Sequence, residues 1–204
     1  MSLEFLITAL IVVLVPGTGV VYTVAVGLGK GRQASIAAAF GCTLGIIPAI
    51  LASVVGLSAL MHTSALVFQL VKYAGVAYLL YLAWQTLKQS GPLDLKADRS
   101  SGKSLAAIAR TGFLINILNP KLTVFFMAFL PQFVSPVAAN PTLDMILLGG
   151  VFMAMTFAVF VVYGLCASLV GTRVLRSDRV MAWMRRTVAL AFAGFGLRLA
   201  LADR

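Results

Sequence analysis

A lysine rarely stands inside a long apolar stretch, yet Lys121 does so directly after Asn119-Pro120. On insertion scales a lysine at the centre of a span costs about 2.5–3.5 kcal/mol, so its presence marks a functional position. Its ammonium could attract a carboxylate. It could instead exchange a proton, because desolvation makes an ammonium easier to deprotonate. A third reading places it nearer the surface, with its head reaching water. Pro120 removes a backbone donor and disturbs the preceding turn. The earlier run Val15-Pro16-Gly17-Thr18-Gly19 combines a proline with two glycines in the same way. Broken backbone is tolerated in lipid only where it faces protein or a water-filled cavity. A broken helix presents N–H groups at one new end and carbonyls at the other, suited to a carboxylate and an ammonium respectively. An amino acid carries both. The plain alternative is that Pro16 and Pro120 only kink their helices for packing.

Polar side chains near these breaks extend the candidate set. Asn116 and Asn119 lie one turn apart and face one way. They could bind substrate or opened backbone, or Asn116 could make a hydrogen bond between helices. Thr18, Thr156 and Tyr163 add hydroxyls, although a threonine readily bonds back to its own helix. The candidate substrate residues are therefore Pro16, Gly17, Thr18, Gly19, Asn116, Asn119, Pro120, Lys121, Thr156 and Tyr163. Gly41-x-x-x-Gly45 marks a close helix contact. Arg198 in the last apolar run reaches outward to water.

The elements that must carry these residues are transmembrane helices. Hydrophobic residues make up 61% of the 204, and 11% are charged. A soluble domain is about 45–50% apolar and about 25% charged, so lipid must be the solvent. Spans are expected at about 3–27, 34–60, 66–88, 105–133, 143–170 and 181–202. The first lacks a basic leader and a cleavage site, and reads as an uncleaved span. The fold class is an all-α membrane protein, a single transporter domain over 1–204. Its six helices form two inverted three-helix repeats, about 1–90 and 105–204, joined by a polar cytoplasmic linker at about 89–104.

The repeat rests on spacing. With Pro16 set against Pro120, Thr8 meets Gly112 and Tyr22 meets Phe126. Lys72, Gly75, Tyr78 and Tyr81 correspond to Arg186, Ala189, Phe192 and Phe195. Charge sets orientation. The net charge is +10, and twelve of the sixteen Lys and Arg lie in the first, third and fifth connections or in the span ends that flank them. Cytoplasmic loops hold such excess, so both termini face outward. This distribution makes a nucleic-acid partner unnecessary.

Several chemistries are not encoded. Gly29-Lys30 is followed by Gly31, which breaks any Walker A pattern. His62 stands alone, and no cluster offers metal-ligand spacing, which disfavours a metal-ion exporter. Six carboxylates in loops and at span ends assemble no catalytic triad. No enzyme and no cofactor is expected.

The motifs resemble a known family. Asn119-Pro120-Lys121, followed by Phe125-Phe126 and Phe129-Leu130-Pro131-Gln132-Phe133, looks like the signature of the LysE/RhtB amino-acid exporters. Pro16-Gly17-x-Gly19 resembles their first-span motif, and Lys72 through Trp84 resembles their third span. The resemblance covers the whole chain. It implies export of amino acids across the bacterial inner membrane, driven by protons. Family substrates include lysine, arginine, threonine, homoserine and its lactone, and leucine-like amino acids. Thr18-Gly19 resembles the homoserine and threonine branch. Members of that branch can carry an acid in the fifth span, where Thr156 stands here. Without an intramembrane carboxylate a cationic substrate lacks its counter-charge, which favours small neutral amino acids of the threonine, homoserine or homoserine-lactone kind. Two alternatives remain. One is an exporter of basic amino acids. The other is a membrane thiol-disulfide carrier using Cys42 and Cys166, which occupy equivalent second and fifth spans. Assembly of identical copies is left open.

Overall fold

A computed structural model describes residues 2–14, 17–61, 104–135 and 138–170, with scattered helical residues between 73 and 88 and between 179 and 197. Every described element is helical, and no strand occurs among the described residues. Helix α1 spans Leu3–Leu14, α2 Thr18–Lys30, α3 Arg32–Leu44 and α4 Ile47–Met61. Helix α5 spans Leu105–Ile117 and α6 Pro120–Phe129, followed by a 3-10 turn at Leu130–Phe133. Helix α7 runs over Pro141–Val170.

The helix ends follow local chemistry. Ser104 caps α5, its hydroxyl accepting the Ala107 N–H at 3.2 Å. Asn140 caps α7 by accepting the Leu143 N–H at 3.1 Å, and Pro141 fits the first helical position. One residue separates α2 from α3. It is Gly31, with φ of 82°, a left-handed conformation that a side chain disfavours.

Two helical stretches are long and apolar enough to cross a membrane, Arg32–Gly56 and Pro141–Leu169. Their 25 and 29 residues exceed the roughly 20 that a hydrocarbon core requires. A third candidate is the pair α1 and α2, bent by 54°. The first of these stretches is not uniform. At its Gly45-Ile46 turn the Ile46 N–H bonds to the Thr43 carbonyl at 3.0 Å, a tightened turn. The residues expected to form the fourth span carry α5, α6 and the 3-10 turn, and α5 is a shorter apolar helix of 13 residues. The expected linker at about 89–104 lies outside the described residues except for Ser104, and so do His62, Lys72 and Arg198.

Helix α3 packs along α5, α2 along α7, and α4 along α6. The α3–α5 approach is close because glycines face it. A Cβ on Gly112 would stand 2.8 Å from the Ala38 carbonyl oxygen, and one on Gly45 2.7 Å from that of Phe113. Gly41 meets the Ala109 backbone directly. The close contact read from Gly41-x-x-x-Gly45 is thus present. Around α1, α4, α6 and the first half of α7 the core is aromatic instead. Phe125 stacks on Phe129 at 4.7 Å, Phe126 meets Phe152 edge-on at 4.9 Å, and Phe5 meets Phe133 at 5.3 Å.

Candidate substrate site at the paired helix breaks

Two helix breaks meet between these packed regions. In the first, α1 ends at Leu14 and α2 begins at Thr18. Gly17 is the N-cap of α2, in extended conformation with φ of −96° and ψ of −174°. The first donor within α2 is Val21, whose N–H reaches the Gly17 carbonyl at 3.0 Å. The N–H groups before it are the orphans that every helix start exposes, and glycine has no side chain to cap them. A Cβ on Gly17 would meet nothing within 4 Å, so this end opens onto free space.

In the second break, α5 closes with the Leu118 N–H on the Leu114 carbonyl at 3.1 Å. Asn119 then starts α6, its carbonyl accepting from Leu122 and Thr123 at 3.1 and 3.4 Å. Pro120 sits at the first position of α6, where its missing N–H costs nothing. The Asn119 side-chain amide donates to the Thr18 hydroxyl at 3.4 Å. The N-terminal ends of α2 and α6 therefore come together, although 101 residues separate Thr18 from Asn119. Each end carries partial positive charge, but the donors differ. Helix α2 opens with no side-chain cap on its first N–H groups. At α6 the Asn119 N–H goes to the Asn116 carbonyl at 3.2 Å, and Pro120 has none. Their convergence suits one negatively charged group.

A buried knot supports this junction. Asn116 donates to the Cys42 carbonyl at 2.7 Å. That carbonyl lacks its usual partner because the Ile46 N–H goes to Thr43. The interhelical reading of Asn116 is the one found. Its Oδ1 and the Phe160 ring wall in Gly19, where a Cβ would stand 3.2 and 2.9 Å from them. The Gly19 carbonyl accepts the Thr23 hydroxyl at 2.8 Å and lies 3.8 Å from the Cys42 sulfur.

The remaining candidates divide. Tyr163 reaches the first break, its hydroxyl donating to the Leu14 carbonyl at 2.7 Å. Thr156 is buried and bonds back to the Phe152 carbonyl of its own helix at 2.8 Å. Lys121 lies in the first turn of α6, and its side chain is outside the described residues, as is Pro16. Sequence reasoning missed Phe160 and the Cys42 carbonyl. Phe160 lies four residues beyond Thr156 and three before Tyr163, a spacing that shares one helix face, so periodicity could have found it. Nothing in the sequence marks a single orphaned carbonyl.

Helices long and apolar enough to span a bilayer are those of a membrane protein. The family model for the LysE type translocator matches residues 10–203. The chain belongs to the LysE family. It is 34% identical over 200 residues to an uncharacterized membrane protein of Vibrio cholerae, covering 98% of this chain and 96% of that one. A leucine efflux protein of an Enterobacter species is 27% identical over 202 residues, covering 96% and 93%. A homoserine/homoserine lactone efflux protein of Salmonella typhimurium is 32% identical over 147 residues, covering 72% and 70%. No solved structure matches the chain.

Proposed function

We propose that the protein exports a small neutral amino acid of the threonine, homoserine or homoserine-lactone kind from the bacterial cytoplasm, by proton antiport across the inner membrane. The observation that carries this reading is the meeting of the α2 and α6 N-terminal ends at Thr18 and Asn119. These ends receive the substrate carboxylate, or the ester carbonyl oxygen of a lactone, and the α1 carbonyls receive its ammonium. Pro16, Gly17, Gly19, Pro120 and Lys121 shape the site, with Lys121 binding the carboxylate or carrying the proton. Asn116, Thr156 and Tyr163 hold the surrounding helices. The relatives named for efflux of leucine and of homoserine and its lactone support a neutral substrate. Thr156 supports it too, because a hydroxyl bonded to its own helix gives a cationic side chain no counter-charge.

The architecture proposed is six spans in two inverted repeats with both termini outside. Pairing of α2 with α7 and of α6 with α4 supports it. An axis exchanging the first span with the fourth and the second with the fifth would require these two pairings together.

Efflux from bacteria overproducing the protein tests the reading. Cells are loaded through dipeptides with threonine, homoserine, leucine, lysine or arginine, with and without a protonophore. Accelerated, protonophore-sensitive release of a neutral amino acid is expected. Selective release of lysine or arginine would favour a basic exporter. Absence of accelerated release, from protein shown to be in the membrane, would contradict the reading.

A further inference from the structure

The carbonyl end of the first break is already occupied. Leu14 is the last residue of α1, so its carbonyl is one of the four that a helix end leaves without an intrahelical donor. The Tyr163 hydroxyl fills it at 2.7 Å, across 149 residues of sequence. Nearby, Gly17 and Thr18 are exposed, and Gly17 borders open space. Tyr163 and Phe160 lie on one face of α7, and Phe160 presses on Gly19 beyond the same break. A single face of α7 thus holds the first break from both sides.

We infer that Tyr163 is a positioning residue whose hydroxyl stands in for the ammonium of the substrate, latching α1 to α7 until an amino acid displaces it. This inference rests on the proposed transport of amino acids and deepens it. The chemistry is an exchange of donors on one oxygen. A tyrosine hydroxyl makes a neutral hydrogen bond, whereas an ammonium makes a charge-assisted one of roughly twice the strength. The exchange favours a bound zwitterion and frees α7 from the end of α1. A carboxylic acid lacking the ammonium occupies only the N-terminal ends and leaves the latch closed.

The test uses inverted membrane vesicles carrying the full chain and the neutral amino acid that the wild type transports best. KM is compared between wild type and Tyr163→Phe. The carboxylic acid with the same carbon chain and a hydrogen in place of the ammonium serves as a competitive inhibitor. Removing the rival donor lowers KM about two- to tenfold, the range of one net hydrogen bond, while the inhibition constant of the des-amino acid stays put. A rise in KM would mean that Tyr163 binds substrate itself and would overturn the latch. Equal shifts in both constants, or none in either, would show a merely structural bond and overturn it equally. Tyr163→Leu deletes the same donor and carries the same expectation if the phenylalanine variant fails to insert. Wild-type vesicles that transport no amino acid would overturn the transport reading and the latch together, an outcome distinct from an active wild type matched by its variant.

Discussion

The two sides of the helix breaks are packed by opposite means. On one side α2, α3, α5 and the second half of α7 meet through small residues. A Cβ on Gly27 would stand 2.6 Å from the Gly164 carbonyl oxygen, and one on Gly164 2.7 Å from the Ser35 Cβ. On the other side α1, α4, α6 and the first half of α7 interlock through Phe5, Phe125, Phe126, Phe129 and Phe152, all buried. In lipid, apolar surface gains little by association, so close packing and hydrogen bonds hold helices together. Backbone pressed on backbone has no rotamer to yield. Rings stacked on rings can turn and slide at modest cost. Among the described residues the glycine side therefore leaves an added atom the least room, whereas the aromatic side can answer a substitution by shifting side chains.

This contrast can be broken by substitution. The largest effect is expected for Gly41→Ala, whose added methyl would collide with the Ala109 backbone. Overpacking of this kind costs about 1–3 kcal/mol, and the upper end is expected because neither neighbour is a flexible side chain. Thermal unfolding in detergent and the amount inserted in the membrane measure it. Next comes Asn116→Ala, which strands the buried Cys42 carbonyl. Interhelical hydrogen bonds in membranes are worth up to about 1.7 kcal/mol, and the same unfolding assay should find a loss near that ceiling. Phe126→Met tests the other side. It keeps the volume filled in an adaptable layer, and a cost below about 1.5 kcal/mol is expected. If the methionine variant proves as damaging as Gly41→Ala, the two sides are equally intolerant of substitution and the contrast fails. The smallest effect is expected for joint Cys42→Ser and Cys166→Ser. Both cysteines are free, Cys42 buried and Cys166 exposed, and efflux should continue at the wild-type rate. Lost efflux would favour the thiol-disulfide alternative.

What could be read in the sequence was whatever a local rule encodes. The helical bounds expected over 105–133 coincide with α5 through the 3-10 turn, because Ser104 caps the start and Pro120 opens a second helix. The fifth, expected from 143, begins at Pro141, two residues early, where Asn140 and the proline set the start. The first span divides near Gly17, as its Pro-Gly run requires. The second hid its tightened turn at Gly45-Ile46 inside an unbroken apolar run. The partners were harder still. Tyr163 finds Leu14, and Asn119 finds Thr18, through tertiary approach across 149 and 101 residues. Cys42 matters at Asn116 through a main-chain carbonyl, an atom every residue has. Side-chain chemistry is written in the sequence, whereas an orphaned carbonyl appears only once the helices are placed.

The central claim is that the two breaks form one substrate site. Its most direct test places cysteines at the junction, as Thr18→Cys and Asn119→Cys, in a chain already carrying Cys42→Ser and Cys166→Ser. A short thiol cross-linker should join the two positions, and the transported amino acid should slow the reaction while a non-transported one does not. Cross-linking indifferent to every amino acid that the protein transports, or no cross-linking at all, would contradict a shared site at the paired breaks.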